Sequence, residues 1–124
     1  MKISTKYYDQ LFHFEGQWGV QSCCGLRMLN QGKKVIVIVT ELYQDNPGSD
    51  VTNVSVSLAT QICDKFNIPF EHLVYVECSP NMNSKLSFYD EEFFRVHFDI
   101  QEGKLVNPVW TKLSTEETIR FIKQ

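Results

Sequence analysis

The spacing of apolar positions changes period several times along the chain. From Val35 to Val39, inside "KVIVIVTEL", five consecutive residues are apolar and β-branched. Such a run predicts a strand covered on both faces, hence the centre of a sheet. From Val51 the period becomes helical. Val51, Val54, Leu58, Ala59, Ile62, Cys63 and Phe66 fall on one face, with Asn53, Ser57, Thr60, Gln61, Asp64 and Lys65 opposite. "HLVYVEC" at 72–78 is a second apolar strand, so strand, helix and strand predict a right-handed crossover with 34–42 and 72–78 as parallel neighbours. "FFRVHFDI" alternates, which places Phe94, Val96, Phe98 and Ile100 inward and Arg95, His97 and Asp99 on a solvated face.

Turn and cap residues divide these elements. After an aromatic opening (Tyr7, Tyr8, Phe12, Phe14, Trp18), "VQSCCGLRML" reads as a strand and "NQGK" at 30–33 as a hairpin turn. Asp50 is the expected N-cap of the helix, and Asn67 before "IP" is its expected stop. Residues 79–87 read as a surface loop. "QEGK" turns the chain into "LVNPVWTKL", where Pro108 argues for an edge strand. Ser114 and Glu117 form a capping box for a short closing helix. The expectation is an α+β fold and a single domain over residues 1–124. Its order is β-β-α-β-β-β-α, a mixed sheet of about five strands with one main helix and a short C-terminal helix.

Composition narrows the function classes. The 124 residues are 43% apolar and 22% charged, the balance of a globular domain. Net charge is -3 and the basic residues are scattered, leaving no stripe to neutralise a phosphate backbone, so nucleic acid is not expected as the main partner. No stretch has the length of a signal peptide or membrane span, and the chain reads as cytoplasmic. Cys23, Cys24, Cys63 and Cys78 lack zinc-ligand spacing and read as free thiols.

The chemistry-bearing residues gather at the first strand-to-helix joint, "TELYQDNPGSDVTNVS". Glu41 and Glu77 lie at the carboxyl ends of the two parallel strands, where ligands of open α/β sheets bind. Two carboxylates there hold a divalent cation or divide acid and base roles, with Asp45, Asn46, Asp50, Thr52 and Asn53 as further ligands. Oxygen donors of this kind suit Mg or Ca. Turn and cap chemistry accounts equally for Asp45, Asn46 and Asp50. One glycine, no basic residue and two aspartates disfavour a phosphate loop. Two other groupings are a cysteine nucleophile (Cys23 or Cys24 with His97 as base) and an amphipathic patch of Tyr89 and Phe93, extended by Trp18 and Trp110.

Thr40, Glu41, Leu42, Asn46, Pro47, Gly48, Val51, Thr52, Asn53 and Glu77 together resemble a set of short bacterial proteins. In those, a strand ending in Thr-Glu-Leu runs through an Asn-Pro-Gly turn into Val-Thr-Asn at a helix start. The resemblance spans about the middle 45 residues of the sequence and implies the fold joint, with no activity or cofactor attached. The leading expectation is a small binding or accessory protein without cofactor, acting through a protein partner. The alternative is a metal-assisted hydrolase or transferase using Glu41 and Glu77.

Overall fold

The computed structural model describes residues 9–16, 19, 21–44, 51–78, 93–114, 116, 117 and 120, the side chains at 41–44 and 51–53 excepted. In chain order the elements are β1 (Gln10–Glu15), β2 (Gln21–Gln31), β3 (Lys34–Gln44), α1 (Val51–Phe66), β4 (Leu73–Cys78), β5 (Phe93–Gln101) and β6 (Lys104–Lys112). The six strands form one mixed sheet in the order β1-β2-β3-β4-β5-β6. Among the described residues only the pairing of β3 with β4, joined through α1, is parallel; Val35 to Val39 lie against Leu73 to Glu77.

The aromatic opening therefore contains a strand, and among the described residues the sheet has six strands, close to the five or so expected. Phe12 and Phe14 point into the core at 9% and 3% exposure, while Leu11 between them and Gln10 is 54% exposed. An apolar residue at an outward position conceals the alternation that marks a strand.

The β-branched run of β3 is buried on both sides, as its pattern predicts. Val37 and Val39 face α1 with Leu26, Leu58, Ile62 and Val96, whereas Ile36 and Ile38 join Val76, Phe93 and Leu113 on the other side. Along α1, Val54, Leu58, Ala59, Ile62 and Cys63 are all buried. Each of the larger side chains contributes about 1.5–3 kcal/mol by leaving water. The helix ends as expected. Asn67 adopts a left-handed φ of 56°, and the Ile68 amide donates to the Cys63 carbonyl at 2.9 Å, a Schellman closure.

Both hairpins use the expected turns. In the second, Glu102 and Gly103 have φ of 52° and 74°, the positive pair a two-residue loop favours. Pro108 does lie on an edge strand. His97 pairs with Val109 and Asp99 with Val106, so β6 carries one extra residue there, and Asn107 in this bulge has a φ of 52°. The capping box forms reciprocally: Glu117 N donates to Ser114 Oγ at 3.1 Å and Ser114 N to Glu117 Oε1 at 3.0 Å. Of the helix it opens, Glu116, Glu117 and Arg120 are described.

Three expectations along β5 need correction. Ile100 is 46% exposed, because it lies beyond the bulge at the tip of the hairpin. Phe93 is 4% exposed in the second core cluster and belongs to no surface patch. Arg95 is half-buried rather than fully solvated. Tyr89 and Trp18 lie outside the described residues. Among the described residues no helix is long and apolar enough to cross a membrane.

Candidate functional site

Glu77 stands at the carboxyl end of β4, opposite Val39 in the parallel ladder. Alternation along β4 turns Leu73, Tyr75 and Glu77 toward α1 and leaves Val76 on the other face. Glu77 is consequently 1% exposed, a carboxyl group inside the main core. Removing a charge from water is costly unless it is hydrogen-bonded, and the fold supplies donors from two other elements. Ser55 Oγ on α1 donates to Glu77 Oε2 at 2.6 Å, and Trp110 Nε1 on β6 donates to Oε1 at 2.9 Å.

These contacts do not fully compensate. Burial pushes the Glu77 carboxyl above its ordinary range, while the bonds from Ser55 and Trp110 and the nearby Tyr75 hydroxyl pull the other way. The Tyr75 hydroxyl acts from beyond good hydrogen-bond geometry, since it is buried without a hydrogen-bond partner. Burial, then the Glu77 charge, keep the Tyr75 phenol protonated well above its usual range. The Cys24 thiol is driven far up by burial, with Cys23 and Glu77 adding to the effect, and burial moves Cys63 up to about 11. Neither thiol is poised as a nucleophile.

Ser55 was hidden by its own polarity. It lies four residues after Val51 and four before Ala59, on the apolar stripe of α1, and it is fully buried. A hydroxyl on such a stripe requires a partner, and that requirement was the signal available in the sequence. Trp110 reads from the sequence as part of a surface patch or as a core aromatic; its indole N–H gave the corresponding hint.

Position 41 lies on a distortion of the sheet. Cys23 pairs with Tyr43 and Gly25 with Thr40, so Glu41 and Leu42 together oppose Cys24 alone. A bulge of this kind redirects the strand, and bulges are enriched beside functional sites. Beside it, the hydroxyls of Ser22 and Thr40 are buried without hydrogen-bond partners.

Of the residues expected to form the acidic site, Glu77 is fully placed. Glu41 is in β3 and Thr52 and Asn53 are in the first turn of α1, with side chains outside the described residues; Asp45, Asn46 and Asp50 lie wholly outside them. Among the described residues no group of three or more His, Cys, Asp or Glu side chains is arranged to hold a metal ion. The cysteine grouping does not assemble. Cys24 faces α1 from β2, whereas His97 is exposed on the opposite face of β5. Three strand spacings between β2 and β5 amount to about 14 Å. The four cysteines are free.

What the Glu77 arrangement does chemically is hold three elements together through one carboxyl group. Ser55 and Trp110 come from segments 22 and 33 residues away in sequence. Compared with known proteins, the chain matches no family model, no curated protein and no solved structure, so the likeness around residues 40–53 rests on its sequence wording.

Proposed function

We propose that this chain is a small cytoplasmic binding or accessory protein that acts through a protein partner. The observation that carries the reading is the contrast between the two edges of the sheet. At one edge, β6 has Pro108 in a bulge and lysines at 104 and 112, devices that discourage strand addition. At the other, β1 reads Gln10–Glu15 with no proline, lysine or bulge, and Leu11 is exposed beside it. Its last residue is held to α1: Glu15 N donates to Gln61 Oε1 at 3.0 Å and Gln61 Nε2 donates to the Glu15 carbonyl at 2.7 Å. An edge that no described residue guards suits a partner that adds an extended segment to β1, with main-chain hydrogen bonds giving affinity and Leu11 giving specificity.

The rival is a hydrolase or transferase with Mg or Ca between Glu41 and Glu77. The internal use of both Glu77 oxygens favours binding, because a cation there would first displace Ser55 and Trp110. One experiment separates the two. Incubated with its native lysate and fractionated by size, the chain is expected to move into a stoichiometric complex. Leu11→Lys is expected to remain free, and Glu41→Gln to behave as the parent. A chain that forms no complex, or a complex lost in Glu41→Gln but kept in Leu11→Lys, overturns the reading.

A further inference from the structure

Around the start of β4, where the sheet opens between β3 and β5, lies a feature that the acidic joint does not explain. The β4–β5 ladder pairs Tyr75–Cys78 with Phe93–Val96, yet β4 begins at Leu73 and β5 continues to Gln101. Where the pairing stops there is a notch of about 190 Å³ whose ionisable wall residues are Lys34, Glu71, Arg95 and His97. With His97 neutral, two cations against one acid reverse the sign of a chain whose net charge is -3.

Among the described residues no carboxylate forms an ion pair with these basic groups. Arg95 is half-buried, and its Nη1 donates to the Val96 carbonyl at 2.6 Å, a neutral acceptor that leaves most of the guanidinium N–H groups unused. No carboxylate among the described residues pairs with it, and burial alone lowers its pKa. Lys34 Nζ donates to the main-chain carbonyl of Glu71 at 2.8 Å, which fixes the ammonium without cancelling its charge. His97 is held below its usual range by desolvation and by the charge of Arg95. Asp99, next along β5, already accepts a hydrogen bond from Asn107 Nδ2 at 3.2 Å. A partly desolvated guanidinium beside a second cation is what an anion stabilises, and the planar fork of arginine matches two oxygens of one oxyanion.

We propose that this notch binds a small oxyanion, a phosphate or carboxylate group, with Arg95 as the principal ligand, Lys34 as the second cation and the neutral His97 ring offering an N–H donor. The site stands apart from the partner-binding reading and does not depend on it. The volume admits the anionic group of a larger molecule or a free ion, and the repulsion from Glu71 is outweighed by the two cations, Arg95 and Lys34.

The test is an NMR titration of the full chain at constant ionic strength, following the His97 ring and Arg95 side-chain signals. Inorganic phosphate and acetate are added in separate arms, with chloride as control. Saturable shifts with phosphate, acetate or both, and none with chloride, are expected; the arm that saturates at lower concentration identifies the oxyanion class. Arg95→Gln should weaken saturation at least tenfold. If that variant does not fold, Lys34→Gln and His97→Gln, both at exposed positions, serve instead and should each weaken it several-fold. Non-saturating shifts in both arms, an equal response to chloride, or unchanged saturation in the variants overturns the proposal.

Discussion

Glu77 and Arg95 are an acid and a base one rung apart on the same ladder, since Glu77 pairs with Phe94 and Val76 with Arg95. They do not neutralise each other, because alternation places Glu77 on the α1 face and Arg95 on the other. The carboxyl group is 1% exposed and receives donors on both oxygens. The guanidinium is half-buried and gives one hydrogen bond to its own strand. Satisfaction inside the fold marks a group that organises the structure, whereas an unsatisfied charge at the surface marks one that is free to recognise something.

The largest effect is expected from removing the satisfied group. Glu77→Ala leaves the Ser55 hydroxyl and the Trp110 N–H buried without an acceptor and opens a cavity between α1, β4 and β6. Urea unfolding should show a loss of about 3–5 kcal/mol. A loss below about 1 kcal/mol would mean that the three elements are held together by apolar packing alone.

The second effect concerns pH. Glu77 has a folded pKa raised above its ordinary 4.5. Folding therefore favours the protonated form, and its contribution to stability is fully present below about pH 4.5 and lost as pH rises through the folded value. Within that window one proton amounts to a slope of about 1.4 kcal/mol per pH unit. Glu77→Gln keeps an oxygen for Trp110 and an N–H for Ser55, so it resembles the protonated acid and should remove the slope. Parent and variant unfolded by urea from pH 4 to 8 should diverge as the pH rises. Parallel curves would show that Glu77 is ionised in the fold throughout.

Much of the fold could be read in the sequence because its signals are local. The five β-branched residues of β3, the stripe from Val54 to Cys63, the Asn67 stop and the Ser114–Glu117 box each lie within a few residues of what they determine. The Glu77 site could be read only by half. Its position at a strand end follows from the crossover, but its donors depend on how α1 docks and on the register of β6, neither of which a short window contains. Likewise the bulge at Glu41 and Leu42 arises from the pairing of β2 with β3. Strand β1 was obscured by exposed Leu11, and the Arg95 notch exists only where a ladder ends.

On the other side of the comparison, replacing the unsatisfied cation should not harm the fold. Arg95→Met keeps the apolar stem that packs on the sheet and removes the desolvation of a charge that no carboxylate among the described residues compensates. Stability is expected to stay level or rise by about 1 kcal/mol, a few degrees in Tm. A loss above about 2 kcal/mol would show that Arg95 is held as firmly as Glu77 and would erase the distinction between them.

Lys34→Gln should produce the smallest change and the sharpest distinction. Lys34 is exposed at the start of β3, and its one hydrogen bond reaches the Glu71 carbonyl, an acceptor that glutamine can also satisfy. Exposed substitutions of this kind usually shift stability by no more than about 0.5 kcal/mol. The positive charge beside the notch is nevertheless gone, so the variant separates recognition from folding. Its Tm in chloride should equal that of the parent, while the rise in Tm on adding phosphate or acetate, which grows with ligand concentration relative to Kd, should be smaller. If the two proteins gain equally from the anion, Lys34 is a structural clasp and the charge that matters in the notch belongs to Arg95 alone.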